Sequence, residues 1–135
     1  MKRLLASIFP LVAGIVACSD ASLVLQSQVI ASPDSKWAAV VQEVDNGLGF
    51  GLGALHREVH VVNGQNQPSG HGDSGKSVVF YINISEYRGP EPSVSVKWLS
   101  PTHLRVTYAE TLVPSKQLGT LTGVTVEYAT KASKT

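Results

Sequence analysis

The feature that most constrains this chain is its strict alternation of apolar and polar side chains. Val94, Val96 and Trp98 alternate with Ser95 and Lys97. Leu104, Val106 and Tyr108 alternate with Arg105 and Thr107, and Val124, Val126 and Tyr128 with Thr125 and Glu127. A period of two places each apolar set on one face of a strand and leaves the other face wet, the antiparallel signature. Val78, Phe80, Ile82 and Ile84 share a face in VVFYINI. Lys36 to Val44 is apolar on both faces and reads as a central strand. Leu23 to Ile30 and Glu58 to Val62 complete about seven candidates, and no stretch after residue 20 carries a sustained helical stripe. The expected fold is all-β: a single antiparallel domain of about six to eight strands, as a curved sheet or small sandwich. Its buried set is expected to include Trp37, Val40, Val59, Val61, Phe80, Ile82, Val94, Val96, Trp98, Leu104, Val106, Tyr108, Val124 and Val126.

The connections suit hairpins. Ser32-Pro33-Asp34-Ser35 and Ser100-Pro101-Thr102-His103 each put proline at the second turn position, where its fixed φ favours a tight reversal. Asn46 to Gly53, Asn63 to Gly75 and Arg88 to Pro92 read as loops, and the polar tail from Lys131 reads as frayed. The Asn83-Ile84-Ser85 sequon, placed in a strand, is expected to be unmodified. SPD turns leading into strands also occur in TolB-type propellers, but four blades of about 40 residues exceed this chain.

SPDSKWAAVVQEVDNG, a glycine loop, EVHVV and then PSVSVKWLSPTHLRVTY together resemble a family of small exported bacterial proteins of unknown function. Their pattern runs SPDGK-aromatic-x-A, then V-x-V-x-W followed by L-x-V-x-Y. The resemblance covers residues 29–108 and rests on turn and core positions, so it implies a fold and assigns no chemistry. Ser35 stands where that pattern has glycine.

The N-terminus reads as an address. Met1-Lys2-Arg3 precedes a charge-free run, Leu4 to Ala17, too short to span a bilayer as a helix. Basic start, apolar core and small residues match a signal peptide, expected as an N-terminal signal helix. Ile15-Val16-Ala17-Cys18 resembles the bacterial lipobox. That resemblance implies cleavage after Ala17, lipidation of Cys18 with diacylglyceryl and palmitate-type chains, and stable attachment to a bilayer. Ser19 after the cysteine favours the periplasmic face of the outer membrane. The expected division is residues 1–17 as signal peptide, 18–22 as a short tether, 23–130 as the β domain and 131–135 as tail. Cys18 is the single cysteine of the 135 residues, so neither an internal disulfide nor a cysteine-based zinc site can form.

Eleven basic and ten acidic side chains give no basic excess for nucleic acid. Gly70 to Ser77 fits the phosphate-loop spacing G-x-x-x-x-G-K-S, but a strand pattern follows it where a helix is required, so no nucleotide is expected. Gly72-Asp73-Ser74-Gly75 and Gly49-x-Gly51-x-x-Ala54 match protease and dinucleotide signatures only loosely, without the surrounding elements.

His56, Glu58 and His60 sit two apart and share one strand face. Two imidazoles and a carboxylate are plausible zinc ligands. The simpler expectation is the wet face of an edge strand, with no metal or other cofactor. His71 and His103 fall in loops and read as solvated. The chain thus reads as a non-enzymatic, membrane-anchored envelope module with an envelope protein as partner. The alternative is a small metal-dependent or hydrolytic enzyme using the His56-Glu58-His60 strand and the 70–77 loop. A pocket in which His60 meets His71, Asp73 or Glu58 favours that alternative, and scattered, exposed positions favour the first reading. A third reading, a hydrophobic ligand inside the sheet, requires an empty apolar cavity.

Overall fold

The computed structural model describes residues 22–47, 54–64 and 74–132. Nine strands follow in order: β1 (Leu23–Ala31), β2 (Trp37–Asp45), β3 (Leu55–Asn63), β4 (Val78–Asn83), β5 (Val94–Ser100), β6 (His103–Ala109), β7 (Pro114–Gln117), β8 (Thr120–Leu121) and β9 (Val124–Lys131). One helical turn, α1 (Ser74–Ser77), leads directly into β4. The strands form a five-stranded sheet in the order β1-β2-β3-β4-β7 and a four-stranded sheet in the order β5-β6-β9-β8. The all-β class is as expected. The β6–β9 pair is parallel, however, a departure from the purely antiparallel expectation. Parallel neighbours need a long crossover, and here the chain makes it by leaving the smaller sheet after β6 and running along β4 as β7. It then returns through β8.

The two sheets face each other across one core. Ala39, Val41, Val59, Val61, Phe80 and Ile82 come from the larger sheet, and Val94, Leu104, Val106, Val124 and Val126 from the smaller. Phe80 is fully buried, with its ring 5.3 Å from that of Tyr108 and 5.8 Å from that of Tyr128. Trp37, Val96, Trp98 and Tyr108, expected inside, lie half-buried at the margin, packed against the cluster. Val96 packs through its methyl groups, while Trp98 and Tyr108 combine an apolar body against the cluster with a polar tip that finds a partner. Trp98 Nε1 donates to the carbonyl of Ile30 at 2.9 Å, linking β5 to β1. The Tyr128 hydroxyl sits 2.8 Å from the carbonyls of Val79 and Leu118 and accepts from Leu118 N at 2.9 Å, linking β9 to the β4–β7 edge. Burial pushes the Tyr128 phenol up to about 12.

Both Ser-Pro turns join adjacent antiparallel strands, as expected. In the first, Ser32 Oγ donates to Asp34 Oδ1 at 2.8 Å and accepts from Trp37 N at 3.1 Å. Asp34 Oδ1 also accepts from Lys36 N. These bonds hold the Asp34 carboxyl below its usual range, the Ser32 hydroxyl contributing most. Ser35 has φ 58°, the left-handed region where a side chain crowds its own backbone. Glycine is the natural occupant of such a position. Gly64 closes the far end of this corner: it donates to the Lys36 carbonyl, and a Cβ on it would lie 2.3 Å from Ser35 O. β9 continues through Lys131, whose Nζ donates to Pro92 O at 2.8 Å. Lys131, expected at the start of the tail, is thus the last residue of β9, and residues 133–135 lie outside the described residues.

Ser35→Gly should raise unfolding stability by about 0.5–1 kcal/mol, the relief of left-handed strain less the extra chain entropy of glycine. A urea midpoint unchanged or lowered would contradict this account of the turn. Tyr128→Phe should cost about 1–2 kcal/mol, because it strips a buried hydroxyl from Leu118 N and the paired carbonyls. The same denaturation series checks it.

Candidate functional site

β3 is the middle strand of the larger sheet, between β2 and β4. Its Val59 and Val61 face the core, so His56, Glu58 and His60 share the opposite face. That face was expected to be wet and on an edge strand, and the structure corrects both points. His56 and His60 side chains are only 3% and 1% exposed, and Glu58 15%. Burial of this kind requires every polar group to find a partner nearby.

The partners are largely one another. His56 Nε2 lies 3.1 Å from Glu58 Oε1, and His60 Nε2 lies 2.9 Å from Glu58 Oε2. Each carboxylate oxygen thus takes one imidazole. Both histidines must carry a proton on Nε2 to make these bonds, a tautomer assigned from the network. These two hydrogen bonds hold the Glu58 carboxyl at about 2, far below its usual range, His56 contributing most and burial opposing. His60 Nδ1 then faces Ser77 Oγ at 2.9 Å. His56 Nδ1 is buried without a protein partner, and its ring stacks on Tyr81 at 4.6 Å. Burial, and then the Glu58 charge, raises the Tyr81 phenol pKa, against a hydrogen bond with Asn46.

A bulge brings Ser77 to this cluster. Val59 pairs with Phe80, yet His60 pairs with Val78, so β4 gains one residue at Val79. The extra residue advances the start of β4 along β3 by one position. Ser77, immediately before Val78, comes within reach of His60. The 70–77 segment was expected to be a plain loop. Residues 74–77 instead form the turn α1, and the strand expected after Ser77 is β4. Gly70, His71, Gly72 and Asp73 lie outside the described residues, as do Gly49 and Gly51. Ala17 and Cys18 also lie outside them.

Among the described residues, no three His, Cys, Asp or Glu side chains are disposed to hold a metal ion. Both imidazole Nε2 atoms already point at carboxylate oxygens, which leaves them no common vertex. A separate cleft of about 70 Å³ is lined by Gln26, Gln28, Val41, Glu43, Arg57 and Pro92. It is far below the several hundred Å³ of a typical ligand pocket. Within it Arg57 is already neutralised by Glu43 at 2.7 Å. Among the described residues no helix is long and apolar enough to cross a membrane. Comparison with family models, curated proteins and solved structures finds no match for this chain.

The sequence pointed to His56, Glu58 and His60 by spacing. It included Ser77 in the phosphate-loop pattern and in the 70–77 loop of the enzymatic alternative without singling it out, and it missed the contacts of Ser77 with His60 and of Tyr81 with His56. Both contacts follow from the register of β3 against β4, which local alternation does not encode.

Glu58 makes the acid limb of stability predictable. Its folded pKa lies below the ordinary 4.5, so its contribution is complete above about pH 4.5 and is lost as pH falls towards about 2. Urea midpoints across that window should fall more steeply for the native chain than for Glu58→Gln. Parallel pH profiles would show that the cluster does not hold the charge.

Proposed function

We propose that this protein is a lipid-anchored component of the bacterial cell envelope that docks an envelope protein by strand addition to β1. The observation supporting this reading is the character of that edge. β1 closes one side of the larger sheet and, among the described residues, pairs only with β2. Its sequence, LVLQSQVIA, has no charge and no proline, and Leu23, Leu25 and Val29 are exposed. Native edges are usually blunted by charge, proline or shortness. The other three edges follow that rule: β7 carries Pro114 and Lys116, β5 carries Lys97, and β8 has two residues. Among the described residues, β1 is the long edge without charge or proline, nine residues interrupted by a bulge between Val24 and Gln26, with the Ile30 carbonyl taken by Trp98.

Position supports the same reading. Only residues 19–22 separate Cys18 from Leu23, a reach of roughly 14 Å when extended. A lipidated Cys18 holds β1 near the membrane surface, where other envelope proteins are concentrated. The occupant is an extended, uncharged segment of such a protein, its backbone completing the hydrogen-bond ladder and its apolar side chains meeting Leu25 and Val29.

Palmitate labelling of cells should mark the native chain and not Cys18→Ser. Photo-crosslinkers at Leu25 and Gln28 should then give a discrete heteroconjugate, absent from Lys97 and from the pair Leu25→Lys with Val29→Lys. Conjugates of twice the chain's mass would mean self-pairing, and lipid adducts alone would mean a membrane-facing strand. Either result would overturn the partner reading.

A further inference from the structure

We propose that Ser77 is an acyl-accepting nucleophile, with His60 as its general base and Glu58 as the group that orients His60. This goes beyond the docking role and does not depend on it. The geometry carries it. A nucleophile, a base and an orienting acid must lie in series within hydrogen-bond reach. Here Ser77 Oγ is 2.9 Å from His60 Nδ1, and His60 Nε2 is 2.9 Å from Glu58 Oε2. Because Glu58 takes the Nε2 proton, neutral His60 presents a bare Nδ1 lone pair to the Ser77 hydroxyl. The imidazole is used in the opposite sense from the serine-protease triad, with the same logic of roles. His56 is a positioning residue: it holds the second oxygen of Glu58 and so fixes the carboxylate plane.

Accessibility fits the assignment. His60 is buried, whereas Ser77 is only half-buried. A purely structural network would serve equally well with the serine fully covered. The substrate class is a small carboxylic ester. Ser77 Oγ forms a bond to the carbonyl carbon as its proton passes to His60 Nδ1. The ester C–O bond breaks, and the alcohol leaves with that proton. Water then attacks the acyl-serine, again losing a proton to His60, and the carboxylic acid is released as Ser77 Oγ regains it.

The test is reaction of the full chain with a fluorophosphonate probe, read by peptide mass spectrometry across pH. The expected result is a label on Ser77, faster with rising pH, absent in Ser77→Ala and at least about tenfold slower in Glu58→Gln. No label on Ser77 in the folded chain overturns the proposal. So does an unchanged rate in a Glu58→Gln chain that retains its melting transition. If Glu58→Gln fails to fold, Ser77→Cys decides, since it leaves His60 and Glu58 in place. Its thiol should alkylate with iodoacetamide at pH 6 about tenfold faster than glutathione, because an adjacent imidazole favours the thiolate. A rate equal to or below that of glutathione overturns the proposal.

Discussion

The central strand β3 has to bury both of its faces, and much of the molecule follows from how it does so. Val59 and Val61 meet the sandwich core, whose apolar neighbours make their burial favourable. Glu58 on the opposite face is a carboxylate held mostly out of water, which costs several kcal/mol unless it is compensated. Two imidazoles provide that compensation, one at each oxygen. Satisfying the charge fixes the tautomer of both rings. It also aims His60 Nδ1 away from Glu58, so the next donor or acceptor must come from another element. Ser77 fills that place and pins α1 to the sheet.

The bulge at Val79 connects this outer face to the core. It shifts the start of β4 towards His60 while keeping Val79 and Phe80 buried on the inner side. The carbonyl of Val79 is taken by Leu118 N and by the Tyr128 hydroxyl. One irregular residue thus ties three features together: the Ser77–His60 contact, the β4–β7 edge and the latch from β9. Trp98 forms the corresponding latch at the opposite end, reaching Ile30 on β1. These polar tips, added to non-directional apolar packing, give the two sheets a defined mutual position.

Most of this fold was legible because alternation encodes which face of a strand is buried. The β5, β6 and β9 patterns predicted their strands closely, and the Ser-Pro turns predicted the pairings beside them. Alternation does not encode strand direction, so the parallel β6–β9 pair was invisible. PSKQ and Thr120-Leu121 are too short to show any period, and β7 and β8 were missed for that reason. The His-Glu-His face was misjudged because polar residues at a period of two normally mean solvent. Pairing on both sides takes β3 off the edge, and burial of that face further requires residues such as Ser77 to lie over it; both are long-range properties. Ser77 was hidden by the bulge, since a shift of one residue has no signature within VVFYINI itself.

The two proposed activities occupy the same sheet without sharing parts. β1 and β4 are separated by β2 and β3, or roughly 14 Å at ordinary strand spacing. A strand added outside β1 lengthens the ladder by one register and asks nothing of the β3–β4 bulge. Sites further apart than about 7–10 Å with no common partner normally behave additively. The route by which they could couple is β2, where Gln42 lies directly opposite Glu58 and Ser27 of β1 lies opposite Gln42. That row runs from the open edge to the carboxylate. A docked segment that twisted β1 would reach Glu58 through Gln42 before it reached Ser77, and its effect would be felt first in the orientation of His60.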